Sequence, residues 1–198
     1  MYSPIANFIL SKNSPEVIHL NFLWGSENRS VVHKNILPNN LPQDIFKSCS
    51  LHVNCVFTQN TIAKQNLFNE SRELMFAEDW DFFIKLCVRY NIELSNHFSA
   101  YLIDHDDRNM RNFDEKKWVL KRDALVKSLS SNKVILATYS RGIKKVASHM
   151  NSLIAVNLAS RKNKVKSARY FLLSVSQNIN EIFTKRTLAI LKHLVLSW

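Results

Sequence analysis

Between residues 16 and 24, apolar side chains fall on every second position. Ile18, Leu20, Phe22 and Trp24 share one face, which is the period of a β-strand. Residues 51–58 repeat the pattern with Leu51, Val53, Cys55 and Phe57. The polar stretch between them, residues 25–42, carries Pro38 and Pro42 and reads as loop. Residues 61–67 form a short helix candidate. At residues 78–90 the period changes: Trp80, Phe83, Ile84, Cys87 and Val88 recur at threes and fours. Glu78, Asp79 and Asp81 occupy the first turn of this helix, with Lys85 and Arg89 near its end. That distribution suits the helix dipole, and Asp81 and Lys85 form an i,i+4 pair. A third strand is expected at residues 97–103. Strands alternating with helices point to an α/β layer arrangement.

The second half of the chain changes character. Residues 115–129, 143–159, 164–177 and 182–196 all show apolar positions at the helical period, and Arg161, Lys162, Lys164 and Lys166 form a basic hinge between two of these helices. At about 150 residues per domain, 198 residues suit one domain with an appendage. The pattern places a first region at 1–114 and a basic helical region at 115–198.

Charge sharpens that division. Residues 1–110 hold 9 Lys and Arg against 12 Asp and Glu, whereas residues 111–198 hold 18 against 4. From Ala124 onward Glu181 is the only acid. Helices with cations on one face and Phe, Leu and Ile on the other can lie on an anionic membrane, and residues 124–198 are the candidate segment. A solvated basic face is the plainer reading and ranks equal. Nucleic acid ranks below both, because no recognised binding motif is present and the aromatics fall at core spacing.

Other classes are excluded more firmly. Gly25 and Gly142 are the only glycines, so neither a G-x-G-x-x-G dinucleotide loop nor a G-x-x-x-x-G-K-S/T phosphate loop can be written. Cys49, Cys55 and Cys87 are an odd number with no Cys-x-x-Cys, which indicates neither a zinc knuckle nor a disulfide framework. Cys55 and Cys87, in apolar segments, read as buried thiols in a reducing compartment. The first residues lack a basic leader, and no window approaches the ~20 apolar residues of a membrane span. The expected setting is cytoplasmic, at most peripheral to the inner face of the cell membrane.

Two clusters could carry chemistry. In Glu78-Asp79-Trp80-Asp81, carboxylates at a helix N-terminus stand beside a large aromatic. Such a carboxylate stays ionised and can accept a proton from a hydroxyl, and an indole can stack on a sugar or base. Simple decoration of a first turn is the alternative. Asp104-His105-Asp106-Asp107 follows a strand and could hold a hard divalent cation, or be only a solvated acidic turn. The remaining histidines (His19, His33, His52, His97, His149, His193) are scattered and read as strand-face or surface residues.

The segment from Asn60 to Leu86, in particular Phe68-Asn69-Glu70 followed by Ala77-Glu78-Asp79-Trp80-Asp81-Phe82-Phe83-Ile84-Lys85-Leu86, resembles the acceptor half of family-2 glycosyltransferases. In that family an F-D/N-E segment precedes an E-D-W/Y-D helix with a basic residue and Leu one turn on. Tyr101-Leu102-Ile103-Asp104-His105 is similar to the family's Y-R-x-H stretch, with Leu102 in place of Arg. Ser167–Leu173 and Phe183-Thr184-Lys185-Arg186 look like the closing helices of bacterial members. The resemblance covers roughly residues 5–195.

The resemblance implies a partial GT-A fold, a mixed sheet with helices, followed by the basic helical region. It implies sugar transfer from a nucleotide-sugar donor to a saccharide or lipid-linked hydroxyl acceptor, usually inverting and dependent on Mn or Mg. On that reading Asp79 is the base that deprotonates the acceptor, Glu78 holds or orients it, Trp80 is an acceptor-binding residue packed behind the site, and His105 approaches the metal or the diphosphate. Cell-surface polysaccharide synthesis is the usual setting of such relatives. The family's opening V-S-V/I-I-I-P-x-Y/F-N strand and its D-x-D metal ligands have no counterpart here, and Asp104–Asp106 lies on the wrong side of the acidic helix to replace them. The expectation is an N-terminally truncated chain, lacking the donor-binding half, that neither binds a nucleotide-sugar tightly nor turns it over alone. The competing class is a non-enzymatic basic peripheral module.

Overall fold

A computed structural model describes residues 4–11, 15–26, 32–75, 77–104 and 113–196. The protein is α/β, with one mixed four-stranded sheet. It divides into two compact units, one made of Met1–Ile45, Cys49–Glu70 and Glu78–Arg111, the other of Phe46–Ser48, Ser71–Ala77 and Asn112–Trp198.

In the first unit, helix α1 (Pro4–Ser11) opens on proline, whose fixed φ suits a first helical position. Strand β1 (Val17–Ser26) follows and is the centre of the sheet. Along one edge it pairs antiparallel with β2 (Val32–Lys34) and, nearer its start, with β3 (Val56–Thr58). Along the other edge it runs parallel to β4 (Ile92–Asp104), with Val17 opposite Ile92 and Ser26 opposite Asp104. Helices α2 (Asn60–Gln65) and α3 (Glu78–Arg89) fill the crossover from β3 to β4.

All six residues Val17–Phe22 are buried. The alternation expected of a half-exposed strand is therefore absent, because β1 is central and covered on both faces. Its buried Asn21 is satisfied internally. Asn21 donates from Nδ2 to the Asn35 carbonyl at 3.2 Å, and its Oδ1 accepts the Phe22 N–H at 2.9 Å. That self-bond coincides with register shifts between Leu20, Asn21 and Phe22 against β4, where the ladder loosens.

Three expectations need correction. The stretch 25–42 is not all loop: β2 lies in it, three exposed residues held by edge pairing to Leu23–Gly25. Residues 51–58 are strand only at Val56–Thr58, since His52 caps a 3-10 turn at Val53–Cys55. The third strand begins at Ile92, well before residue 97, because the polar run after Ile92 pairs with the buried start of β1.

The second unit is helical: α4 (Glu115–Ser131), α5 (Lys133–Ser160), α6 (Lys164–Gln177), a 3-10 turn (Ile179–Phe183) and α7 (Lys185–Leu196). Side-chain caps fix the starts. Asp114 accepts from the Lys116 and Lys117 N–H groups, Asn132 from Val134 and Ile135, and Asn163 from Lys166. The long α5 is the hub, burying Ile143, Val146, Met150, Ile154 and Leu158. It starts ten residues before the expected 143, because Tyr139 (φ −125°, ψ 29°) kinks it and interrupts the apolar period.

Candidate functional site

Helix α3 buries more of its circumference than one stripe. Trp80, Phe82, Phe83, Ile84, Leu86 and Cys87 are all in the core. The acids of its first turn consequently differ in environment. Asp81 is 1% exposed, and its Oδ2 receives Lys85 Nζ at 2.6 Å, one turn on. Its Oδ1 is buried with no hydrogen-bond partner in the protein.

Glu78 and Asp79 are half-buried and remain accessible. Burial pushes the Asp79 carboxyl above the ordinary aspartate range, the Glu78 charge adds to the rise, and nearby His52 opposes it. Glu78 keeps Oε2 buried with no partner in the protein, a costly state for a carboxylate oxygen.

Trp80 is buried, and its Nε1–H donates to the Ile45 carbonyl at 2.6 Å. The indole packs behind the acidic turn and presents no open face. Stacking of Trp80 directly on a sugar, allowed by the sequence, does not fit this placement.

Three residues that local motifs did not single out gather here: His52 and Cys49 within the field of Asp79, and His19 bonded to His52. His52 opens the 3-10 turn, with Nδ1 accepting the Asn54 N–H at 3.3 Å. Its own N–H donates to His19 Nε2 at 2.9 Å. His19 is fully buried on β1, edge-on to Phe83 at 6.1 Å. Burial lowers its pKa to about 4, so the ring is neutral at pH 7. Because Nε2 accepts, the ring proton sits on Nδ1, which has no partner in the protein.

Cys49 is the third. The residue as a whole is exposed, but its Sγ is crowded and lies within the field of Asp79. Burial first and Asp79 second push the thiol up to about 12. Nothing in the spacing of His19, Cys49 and His52 announces this meeting, which β1 and the turn before β3 create.

The chemistry available is proton transfer. A half-buried aspartate with a raised pKa is a stronger base than a solvated one. Of the second acidic cluster, Asp104 closes β4, while His105, Asp106 and Asp107 lie outside the described residues. Among the described residues no three His, Cys, Asp or Glu side chains come together to hold a metal ion. Also among them, no helix is long and apolar enough to cross a membrane. The chain matches no protein-family profile, no curated protein and no solved structure.

Proposed function

We propose that the first unit supplies the acceptor side of a glycosyl transfer within a partial GT-A-type α/β layer, with Asp79 as the base. The half-buried Asp79 carboxylate, raised by burial and by Glu78, carries the reading. As the acceptor oxygen attacks the anomeric carbon of a nucleotide-sugar, its proton passes to Asp79, and the C–O bond to the nucleotide diphosphate breaks. Positioned bases of this kind contribute roughly 10²–10⁴-fold.

Glu78 has a second task. A hydroxyl of the acceptor donating to its buried, unpartnered Oε2 would satisfy that oxygen and orient the sugar. Trp80 binds no ligand face directly; its bond to Ile45 fixes the turn on which both carboxylates stand. The order β1, β3, α2, acidic helix, β4 also follows the acceptor half of the family that the motifs resemble. A divalent metal belongs to that resemblance, with His105 its candidate residue by sequence alone, but no step above runs through it.

Acceptor binding is the direct test. Saturation-transfer NMR against a panel of mono- and oligosaccharides should reveal a binder. Asp79→Asn and Glu78→Gln should each weaken it at least about fivefold, as expected for loss of one charged hydrogen-bond acceptor, with thermal melts unchanged. A panel without a binder, or variants that bind like the wild type, would overturn the proposal.

A further inference from the structure

Helix α6 has two unlike faces. Ser167 and Ser174 point inward onto α5, and the opposite face carries Val165, Ala168 and Leu172. Val165 is 83% and Leu172 67% exposed. With Arg169, Leu173 and Ser176 they line a shallow hollow on the surface. Further along, Phe183 is 84% exposed, and α7 turns Leu188 and Leu191 to solvent. Single exposed apolar residues are normal, whereas a stripe along a helix marks a contact surface.

The cations around this stripe identify what it fits. Lys162, Lys164, Lys166 and Arg169 flank it on α6 and the turn before, and Lys185 and Lys192 do the same on α7. The single acid after Ala124, Glu181, is buried and paired with Arg186 at 3.3 Å. Lys166 Nζ is held by Glu115 of α4 at 2.7 Å, yet cations still far outnumber carboxylates from Ala124 onward, where Glu181 is the only acid.

We infer that the outward face of α6 docks on an anionic lipid bilayer. Val165, Leu172 and Leu173 enter the acyl boundary, and the flanking lysines and arginine meet headgroup phosphates. A second copy of the chain is disfavoured, since joining two such faces would bring their cationic rims together. A nucleic-acid backbone would use the cations and leave the apolar stripe without a partner. An anionic bilayer takes both, which is the chemistry of an interfacial amphipathic helix. Helices of 14 and 12 residues fall short of the ~20 that span a bilayer, so they would lie in the interface plane.

The test is co-sedimentation of the full chain with phosphatidylcholine vesicles, with or without phosphatidylglycerol. The protein should pellet with the anionic vesicles alone and be released by salt. Leu172→Asp, the neutral Leu172→Ser, and the pair Lys164→Glu with Arg169→Glu should each weaken binding about tenfold, the scale set by one lost apolar anchor or by two reversed surface charges. Leu172 and Arg169 are exposed and Lys164 is half-buried, and unchanged circular dichroism would confirm that the variants fold. Three results would overturn the inference: no binding to anionic vesicles, binding indifferent to both Leu172 variants, or a vesicle-free dimer abolished by Leu172→Asp. Tighter binding to duplex DNA than to anionic vesicles would overturn it as well.

Discussion

The backbone N–H of His52 donates to Nε2 of His19 across 2.9 Å, joining the turn before β3 to the centre of the sheet. Protonation of His19 at that nitrogen would remove the acceptor and place a charge in the core. Burial accordingly lowers the folded pKa to about 4, below the unfolded value of 6.5. Between those values the unfolded chain binds the proton and the folded one does not. Stability from this site is complete above about pH 6.5 and falls as the pH drops toward about 4, a loss of up to ~3 kcal/mol. His149 in the helical unit has the same sign, lowered to about 3 by burial and by Arg186. Urea unfolding across this range should show midpoints falling with acidification. Replacing His19 with Asn should flatten the dependence in the first unit, and a wild-type midpoint constant from pH 7 to pH 4 would contradict the assignment.

A second expectation concerns Cys49 and Asp79. The thiol is pushed up to about 12, mainly by burial and then by the aspartate charge. Cys49 should react slowly with iodoacetamide at pH 8, despite the exposure of the residue, because the thiolate is the nucleophile. Asp79→Asn removes one of the two causes and should speed labelling several-fold, while burial keeps it below a free thiol. Rates identical in both proteins, read by mass spectrometry of the Cys49 peptide, would separate the two residues electrostatically.

The acidic helix could be read from sequence because its signals are local: a 3.6 period, acids in the first turn and a basic residue one turn on. Strand β1 was visible as a strand, but the burial of His19 and Asn21 was not, since it depends on what covers the second face. The edge strand β2 has no apolar alternation, as all three residues are exposed and are held by the ladder to Leu23–Gly25, with His33 stacked on Trp24 and Lys34 over the Phe98 ring. Of the site, Glu78 and Asp79 could be singled out as adjacent carboxylates. His52 and Cys49 come within the field of Asp79, and His19 bonds His52, only through tertiary folding. Burial of Trp80 with its bond to Ile45 makes the indole a prop and not a platform.

Gly142 lies inside α5, where Gly→Ala usually stabilises by about 1 kcal/mol. Here the sign should reverse. A Cβ at this position would stand 2.7 Å from Cδ1 and Cγ of Phe46. The ring has little room to retreat, being 1% exposed and stacked on Tyr139 at 5.4 Å between centroids. Gly142→Ala should cost about 1–3 kcal/mol by overpacking, read as a lowered urea midpoint with unchanged slope. A Phe46→Leu background should recover part of that loss, and a stabilised Gly142→Ala would show that the ring yields.

The seam between α5 and α6 makes the last prediction. Ser148 Oγ donates to the Ser174 carbonyl and Ser174 Oγ to the Ser148 carbonyl, both at 2.7 Å, and Ser167 Oγ donates to the Ala155 carbonyl at 2.8 Å. All three serines are fully buried, so small side chains let the helices approach while their hydroxyls bond the facing backbone. Ser174→Ala removes one donated bond and the 3.1 Å hydroxyl contact with Ser148, and should cost about 1–2 kcal/mol. Ser174→Val keeps no hydroxyl and adds bulk at the closest approach, so it should cost more, about 2–4 kcal/mol by adding overpacking to the lost bond. The order Ala above Val in denaturation midpoint distinguishes a seam limited by space from one limited by hydrophobicity. If Val were the more stable of the two, the contact would be looser than the reciprocal 2.7 Å bonds require.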